Sequence, residues 1–194
     1  GSASSRMRAS AASSSLAAAV STAWRWTVVS SPASTLRPQA GAATLASATI
    51  HPDADFAPLR QWLRSTAADK PRVIATSVSL VPFTRAALAG GAERIGLDDW
   101  GGYPRSALAL LRLLAEEQAE RVVLLSGDRH LSSVSSLWLQ GAQGPLEVVS
   151  VVSSGTHAPW PFANLRPDHL WLQGAFSFAD GAGNQIDGDM VTAA

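Results

Sequence analysis

The sequence predicts an α/β fold in which helices flank a sheet, and three observations lead to that prediction. A helix-type pattern that starts at Phe56 precedes a short apolar run after Pro71. A second helix-type pattern from Pro104 leads directly into Val122–Leu125, an apolar run too short for a helix. Two further strand-type runs follow, joined by a glycine turn. Because helix and strand patterns alternate along the chain, we expect a layered α/β (α+β) domain.

The first predicted helix is capped by Asp55 and ends near Ser65. Its apolar face, at the spacing expected for packing on a sheet, consists of Phe56, Leu59, Trp62 and Leu63. The strand after it is expected within Arg72–Leu80. Upstream, the aromatic and β-branched residues of Trp24–Val29 favour a short strand at the edge of the sheet.

The second half of the chain carries the strongest patterns. A helix is predicted from Pro104 to about Gln118, with leucines on one face and charges opposite. Ser133–Gln140 and Leu146–Ser153 are predicted to pair as an antiparallel hairpin, and the valines of the second strand indicate burial on both faces. A closing hairpin is formed by two further strands, Leu170–Phe178 and Asn184–Val191.

The chain of 194 residues fits one domain preceded by a low-complexity segment. Apart from the predicted strand Trp24–Val29, residues 1–50 are rich in Ala, Ser and Thr and lack a clear period, so we expect them to be poorly ordered. Residues 51–194 are expected to form the domain. The contrast between the two parts also suggests a truncated or out-of-frame start. A continuation of the domain's sequence in another reading frame upstream of the Phe56 codon would support this hypothesis, and a uniform coding signal would remove it.

Composition excludes several classes of partner and site. The formal net charge is zero with scattered basic residues, so no nucleic-acid footprint or polybasic membrane anchor is predicted. Cysteine is absent, which excludes disulfides and thiolate ligands. No apolar run approaches the length that spans a bilayer, so the chain is expected to be soluble.

The compartment and the oligomeric state stay open. Arg6 and Arg8 precede a weak apolar stretch, Leu16–Val20, which is interrupted upstream by serines and is a poor signal peptide. No adjacent arginine pair occurs there. Both a cytoplasmic and an exported location therefore remain possible.

A candidate metal-binding pair follows the strand Val122–Leu125. Ser126-Gly127 predicts a turn that presents Asp128 and His130 together, a carboxylate oxygen and an imidazole nitrogen. Open α/β sheets bind ligands beyond the carboxyl ends of their strands, where this pair falls. The alternative is an ordinary turn in which Asp128 bonds the backbone and His130 is solvated.

A second candidate segment is the run of nine residues Gly96–Pro104. Two adjacent carboxylates, Asp98 and Asp99, are costly unless they are solvated or neutralised by a cation, and the following glycines permit close approach of a ligand. In the alternative interpretation Asp99 caps a turn, while Trp100 and Tyr103 fill the base of the next helix.

The remaining histidines differ in how well their sequence context supports a role in the site. His157 lies in a loop stiffened by Pro159 and Pro161, and it is either a site residue or a packed loop residue. His169 is expected at the surface. A small cluster near residue 53, formed by His51, Asp53 and Asp55, is more typical of a loop and a helix cap than of a metal site.

Three segments together resemble a PhoD-like (alkaline phosphatase D type) metallophosphatase: GLDDWGGYP at 96–104, SGDRHL at 126–131 and SSGTHAPWPFAN at 153–164. They occur in the family's order, and the resemblance covers roughly Phe56 to the end. It implies that Asp128 and His130 bind metal, and that His157 is a ligand or the acid for the leaving group. It further implies that Asp98 or Asp99, Trp100 and Tyr103 line the active site, either touching substrate or supporting other site residues.

The resemblance implies a metal-dependent hydrolase of phosphate mono- or diesters, whose substrate is a small-molecule, lipid or nucleotide phosphate ester. Iron with calcium is the implied metal content, with zinc or manganese as alternatives. The family's earlier metal-ligand motifs are missing here. We therefore expect this chain to be the C-terminal half of such a domain, with a metallophosphatase-like sheet that is incomplete on its N-terminal side. The alternative is a non-catalytic remnant that acts as a structural or interaction module. A serine hydrolase is disfavoured because neither Ser126 nor Ser154 lies in a G-x-S-x-G motif, and no P-loop occurs.

Overall fold

The computed structural model of the chain describes residues 27–29, 56–89, 99–154, 167–180 and 182–193. Within them, seven strands form one sheet: β1 Thr27–Val29, β2 Arg72–Val78, β3 Val122–Gly127, β4 Ser133–Gly141, β5 Gly144–Val152, β6 Gln173–Ala179 and β7 Gln185–Ala193. The spatial order is β1-β2-β3-β5-β4-β7-β6. Strands β1, β2, β3 and β5 are parallel, whereas β4, β7 and β6 pair in antiparallel fashion. The fold is therefore mixed α/β, as the alternating patterns predicted.

The helices of the described residues are α1 Phe56–Ser65, α2 Arg85–Ala89 and α3 Pro104–Glu116, with short 3-10 turns at Trp100–Gly102 and Pro167–His169. Helix α1 has the predicted bounds and buries the four predicted residues. Helix α3 begins at Pro104, which suits the first turn because its missing N–H would have no partner there. It ends at Glu116, two residues before the predicted end at Gln118. Gln118 has a φ of 44°, in the left-handed region that commonly follows the last turn of a helix.

One core joins the three helices to a single face of the sheet. Leucines of α3, among them Leu111 and Leu114, are fully buried in the same cluster as Leu124 of β3, Leu137 of β4 and Val148 of β5. The alternation of buried and less buried residues along β3, β4 and β5 follows the two-residue period of a strand. Burial of these side chains provides the main favourable contribution to folding.

The sequence predicted that β5 is buried on both faces, and this is wrong for the face that points away from the helices. Val149 and Val151 are half-buried, and Val151 lies opposite Val134, which is 52% exposed. On the neighbouring strand, Val191 is 48% exposed. The physical reason is that the described helices all contribute to the core on the other face, so no described helix covers these valines.

The predicted hairpins are present. Strands β4 and β5 pair antiparallel through a turn in which Gly141 lies opposite Gly144, whose φ of 118° favours glycine. The closing hairpin pairs β6 with β7, but β6 begins three residues later than predicted, because Leu170 forms an isolated bridge with Thr84 instead. In the described ranges no helix is long and apolar enough to cross a membrane.

Candidate active site at the carboxyl ends of the parallel strands

The carboxyl ends of β2, β3 and β5 meet at one edge of the sheet because these strands are parallel neighbours. Ser79 follows β2, Asp128 follows β3 and Ser153 follows β5. The N–H of Ser153 donates to the carbonyl of Ser126 at 2.9 Å, which ties the exits of β3 and β5 together. Two of the three sequence motifs therefore leave the sheet side by side.

The turn after β3 holds its two candidate ligands in an uncommon backbone conformation. Asp128 has a φ of 60° and His130 a φ of 56°, both in the left-handed region. Asp128 is exposed, and no other described side chain forms an ion pair with it. His130 is half-buried, and its Nδ1 is buried with no hydrogen-bond partner. The turn thus carries an exposed carboxylate and an imidazole whose Nδ1 has no hydrogen-bond partner.

Arg129, between these two residues, was missed in the sequence. Its side chain is 3% exposed, and Nη2 donates to Asp99 Oδ2 at 2.6 Å. Its Nε donates to Ser79 Oγ. Burial lowers the pKa of the Arg129 guanidinium, and the negative charge of Asp99 opposes that shift. A signal was present, because adjacent carboxylates at 98 and 99 needed a neutralising cation and Arg129 supplies it for Asp99.

The Asp99 segment is built around buried polar contacts. Asp99 Oδ1 accepts from the N–H of Gly101 at 2.7 Å and so caps the 3-10 turn. Trp100 is 1% exposed and its indole N–H donates to Thr76 Oγ1 at 3.0 Å, while Tyr103 is half-buried against the core. This is the cap-and-plug arrangement that the sequence offered as an alternative. Of the three predicted substrate contacts, Tyr103 is the most accessible.

The exit of β5 contacts the turn after β3 directly. Ser154 Oγ accepts from the N–H of Arg129 and donates to the carbonyl of Leu131, both at 3.1 Å. The segment that leads to His157 therefore begins beside Asp128 and His130. His157 itself lies outside the described residues, as do Asp98 and the His51, Asp53 and Asp55 cluster. His169 is exposed in the Pro167–His169 turn, as expected.

Two buried serines near the end of β3 were also not singled out as polar site residues. Ser126 and Ser133 both lie opposite Val152 in the sheet register, one on each neighbouring strand. Their hydroxyls are buried without a partner, as is Nη1 of Arg129. Unpaired buried polar groups are uncommon in proteins, so this end of the core retains unused hydrogen-bonding capacity.

The residues present fit part of a metal centre. A carboxylate and an imidazole from one turn suit iron, zinc or manganese, and the carboxylate also suits calcium. Within the described ranges, however, no group of three or more His, Cys, Asp or Glu side chains is close enough to hold an ion. Asp128 and His130 can therefore contribute ligands but do not complete a coordination sphere among the described residues.

The fold and the site define an α/β protein with a polar site at the carboxyl edge of its parallel strands. A family model described as PhoD-like phosphatase matches residues 30–166, a range that contains all three motifs and more than half of the chain. The chain therefore belongs to the PhoD-like phosphatase family. The match begins upstream of Phe56, where the resemblance in the sequence was first apparent.

Two further comparisons complete this picture. No curated protein gives a significant match. A solved structure described as "Structure of PhoD" is 22% identical with a TM-score of 0.37, and the alignment covers 50% of this chain and 19% of that chain. The chain thus spans less than a fifth of that protein's length.

Proposed function

We propose that this chain contributes to the hydrolysis of phosphate mono- or diesters at the carboxyl edge of its sheet, with metal ions bound in part by Asp128 and His130. The observation that carries the proposal is the turn after β3, where the Asp128 side chain is exposed and the His130 Nδ1 has no hydrogen-bond partner. Family membership supports the reaction class. The metallophosphatase-type architecture and the placement of the domain within residues 51–194 belong to the same proposal.

Different residues of this chain would bind the metal ions, protonate the leaving group and contact the substrate. Asp128 and His130 would bind cations, which supply Lewis acidity toward a phosphoryl oxygen and acidify a water when bound. His157 would bind a cation or protonate the leaving oxygen. Tyr103 would contact the substrate. Asp99 and Trp100 would hold neighbouring site residues in place and would not touch the substrate, since both are buried and hydrogen-bonded to other side chains.

Iron with calcium is the metal content that the family suggests, with zinc or manganese as alternatives. Substrates would be small-molecule, lipid or nucleotide phosphate esters. A second candidate function is a non-catalytic structural or interaction module. This candidate rests on the sequence, in which the family's earlier metal-ligand motifs are not recognised.

The test is hydrolysis of a chromogenic phosphodiester and of the matching monoester by the purified chain, after loading with each metal and with or without a chelator. We expect chelator-sensitive turnover and about two metal ions per chain. Asp128→Asn and His130→Ala should lower kcat/KM at least about 100-fold, because each removes a metal ligand. His169→Ala is the matched control and should retain full activity, since His169 is exposed in a separate turn.

Equal activity of the Asp128→Asn, His130→Ala and His169→Ala variants would exclude this site. Absence of both metal and turnover in the unaltered chain would favour the non-catalytic module.

A further inference from the structure

We propose that Arg129 is the positioning residue of this site: its buried side chain and its backbone together fix the turn that presents Asp128 and His130. The effect of Arg129 on metal binding rests on the proposed function, whereas its effect on the conformation of the turn does not. Arg129 itself cannot bind a cation, because its guanidinium is a donor of hydrogen bonds only.

The contacts of Arg129 join four separate parts of the chain. Its Nη2 donates to Asp99 from the segment before α3, and its Nε donates to Ser79 after β2. Its backbone N–H donates to Ser154 after β5. The turn after β3 is therefore fixed to the described segments that follow β2 and β5 and to the one that precedes α3.

The geometry requires an arginine. The guanidinium presents several N–H groups in a planar fork, so a single side chain reaches Asp99 and Ser79 at once. A lysine keeps the positive charge but concentrates it on one nitrogen at the end of a flexible chain. Lysine at this position could neutralise Asp99, but it could not hold both partners in the same geometry.

The turn needs these contacts because its backbone conformation is uncommon for residues other than glycine. Asp128 and His130 flank Arg129 and both have left-handed φ values. Such conformations persist only where surrounding contacts enforce them. Release of Arg129 would let both flanking residues relax, and the carboxylate and imidazole would lose their fixed relation to each other.

A merely structural role is the competing explanation, because a buried ion pair that loses one partner destabilises the whole fold. Arg129→Met alone would remove the ion pair between Arg129 and the buried Asp99 carboxylate while leaving that charge in place. The Asp99→Asn/Arg129→Met double variant avoids this, because both charges disappear while the Asn oxygen can still cap Gly101. Arg129→Lys is the conservative companion that keeps both charges.

The first measurement is amide hydrogen exchange in the metal-free chain. It compares the turn amide of residue 129, whose N–H donates to Ser154 Oγ, with the amides of Leu137 and Val148 in the centre of the sheet. In both variants we expect exchange in the turn to be at least about tenfold faster, with the sheet amides unchanged. A turn amide that remains as protected as in the unaltered chain would overturn the positioning role. A uniform increase at all sites would also overturn it, since that result reports only global destabilisation.

The second measurement is calorimetric titration of the same proteins with Mn²⁺. We expect both variants to bind about 10- to 100-fold more weakly than the unaltered chain. Equal affinities would overturn the role of Arg129 in metal binding and leave the proposed function intact. No Mn²⁺ uptake by the unaltered chain, combined with faster turn exchange in the variants, would instead refute the proposed function and leave the positioning role intact.

Discussion

At the scale of single residues, Asp128 combines a ligand atom with a left-handed backbone, so its two contributions can be separated by substitution. Asp128→Gly and Asp128→Ala both remove the carboxylate. A left-handed residue that carries a Cβ is less stable by about 1 to 2 kcal/mol, a penalty that glycine avoids. We therefore expect the glycine variant to be more stable than the alanine variant by about 1 kcal/mol in urea unfolding. An alanine variant of equal or greater stability would contradict the left-handed turn.

Gly188 in β7 shows how tightly the core is packed at one residue. A Cβ added there would meet the backbone oxygen of Trp138 and lie 2.8 Å from Cζ of Phe176. Overpacking of this kind costs about 1 to 3 kcal/mol, and backbone contact makes relief difficult. We expect Gly188→Ala to lie at or above the top of that range in denaturant unfolding.

Gly183 provides the control for this experiment. A Cβ there meets nothing within 4 Å, and only its φ of 87° opposes a side chain. Gly183→Ala should cost about 1 kcal/mol. A smaller loss for Gly188→Ala than for Gly183→Ala would show that β7 is not packed as described.

At the scale of elements, the β6–β7 hairpin depends on Asp180. Its carboxylate accepts from the backbone N–H groups of Ala182 and Asn184 and from the Asn184 side chain. Burial raises the pKa of Asp180, but these hydrogen bonds outweigh it and the net shift is downward. A lowered pKa in the folded state stabilises the protein above the ordinary aspartate pKa of about 3.9, and the contribution is lost as the pH falls through the folded value.

Asp180→Asn should therefore lower the free energy of unfolding by about 1 kcal/mol at pH 7. As the pH falls below the ordinary aspartate pKa toward the lowered folded value, the difference between the two proteins should shrink, because the unfolded chain then binds a proton more readily than the native carboxylate. Urea unfolding of both proteins at pH 7, 4 and 2.5 measures this. A difference that stays constant or grows toward low pH would contradict the assignment.

The elements were more predictable from sequence than the site. Helix α1 and the β4–β5 hairpin followed from local periodicity and turn residues, which short stretches of sequence determine. The role of Arg129 depends on Ser79, Asp99 and Ser154, which are 50, 30 and 25 residues away along the chain. No local pattern encodes such contacts. The turn after β3 begins two residues later than predicted, because Ser126 and Gly127 still pair with the neighbouring strands. The inward direction of its central residue, Arg129, emerged only from the fold.

At the scale of the whole molecule, the described helices pack on one face of the sheet. Leu137 and Val134 lie on the same strand, but Leu137 is fully buried whereas Val134 is 52% exposed. Leu137→Ala should cost about 2 to 5 kcal/mol, because it opens a cavity in the core. Val134→Ala should cost less than about 1 kcal/mol, because little apolar area is removed from contact. Denaturant unfolding measures both losses of stability. Similar losses for the two variants would show that the face of the sheet that carries Val134 is covered in solution.

We propose that Asp128 and His130 bind a metal ion at the carboxyl edge of the sheet. The most direct measurement is NMR of the histidine side chains during titration with paramagnetic Mn²⁺. We predict that the His130 imidazole signals broaden at substoichiometric Mn²⁺, while those of the exposed His169 stay sharp, and that Asp128→Asn shifts the broadening to higher Mn²⁺ concentration. Sharp His130 signals, or equal broadening of His130 and His169, would show that the turn after β3 does not bind the metal.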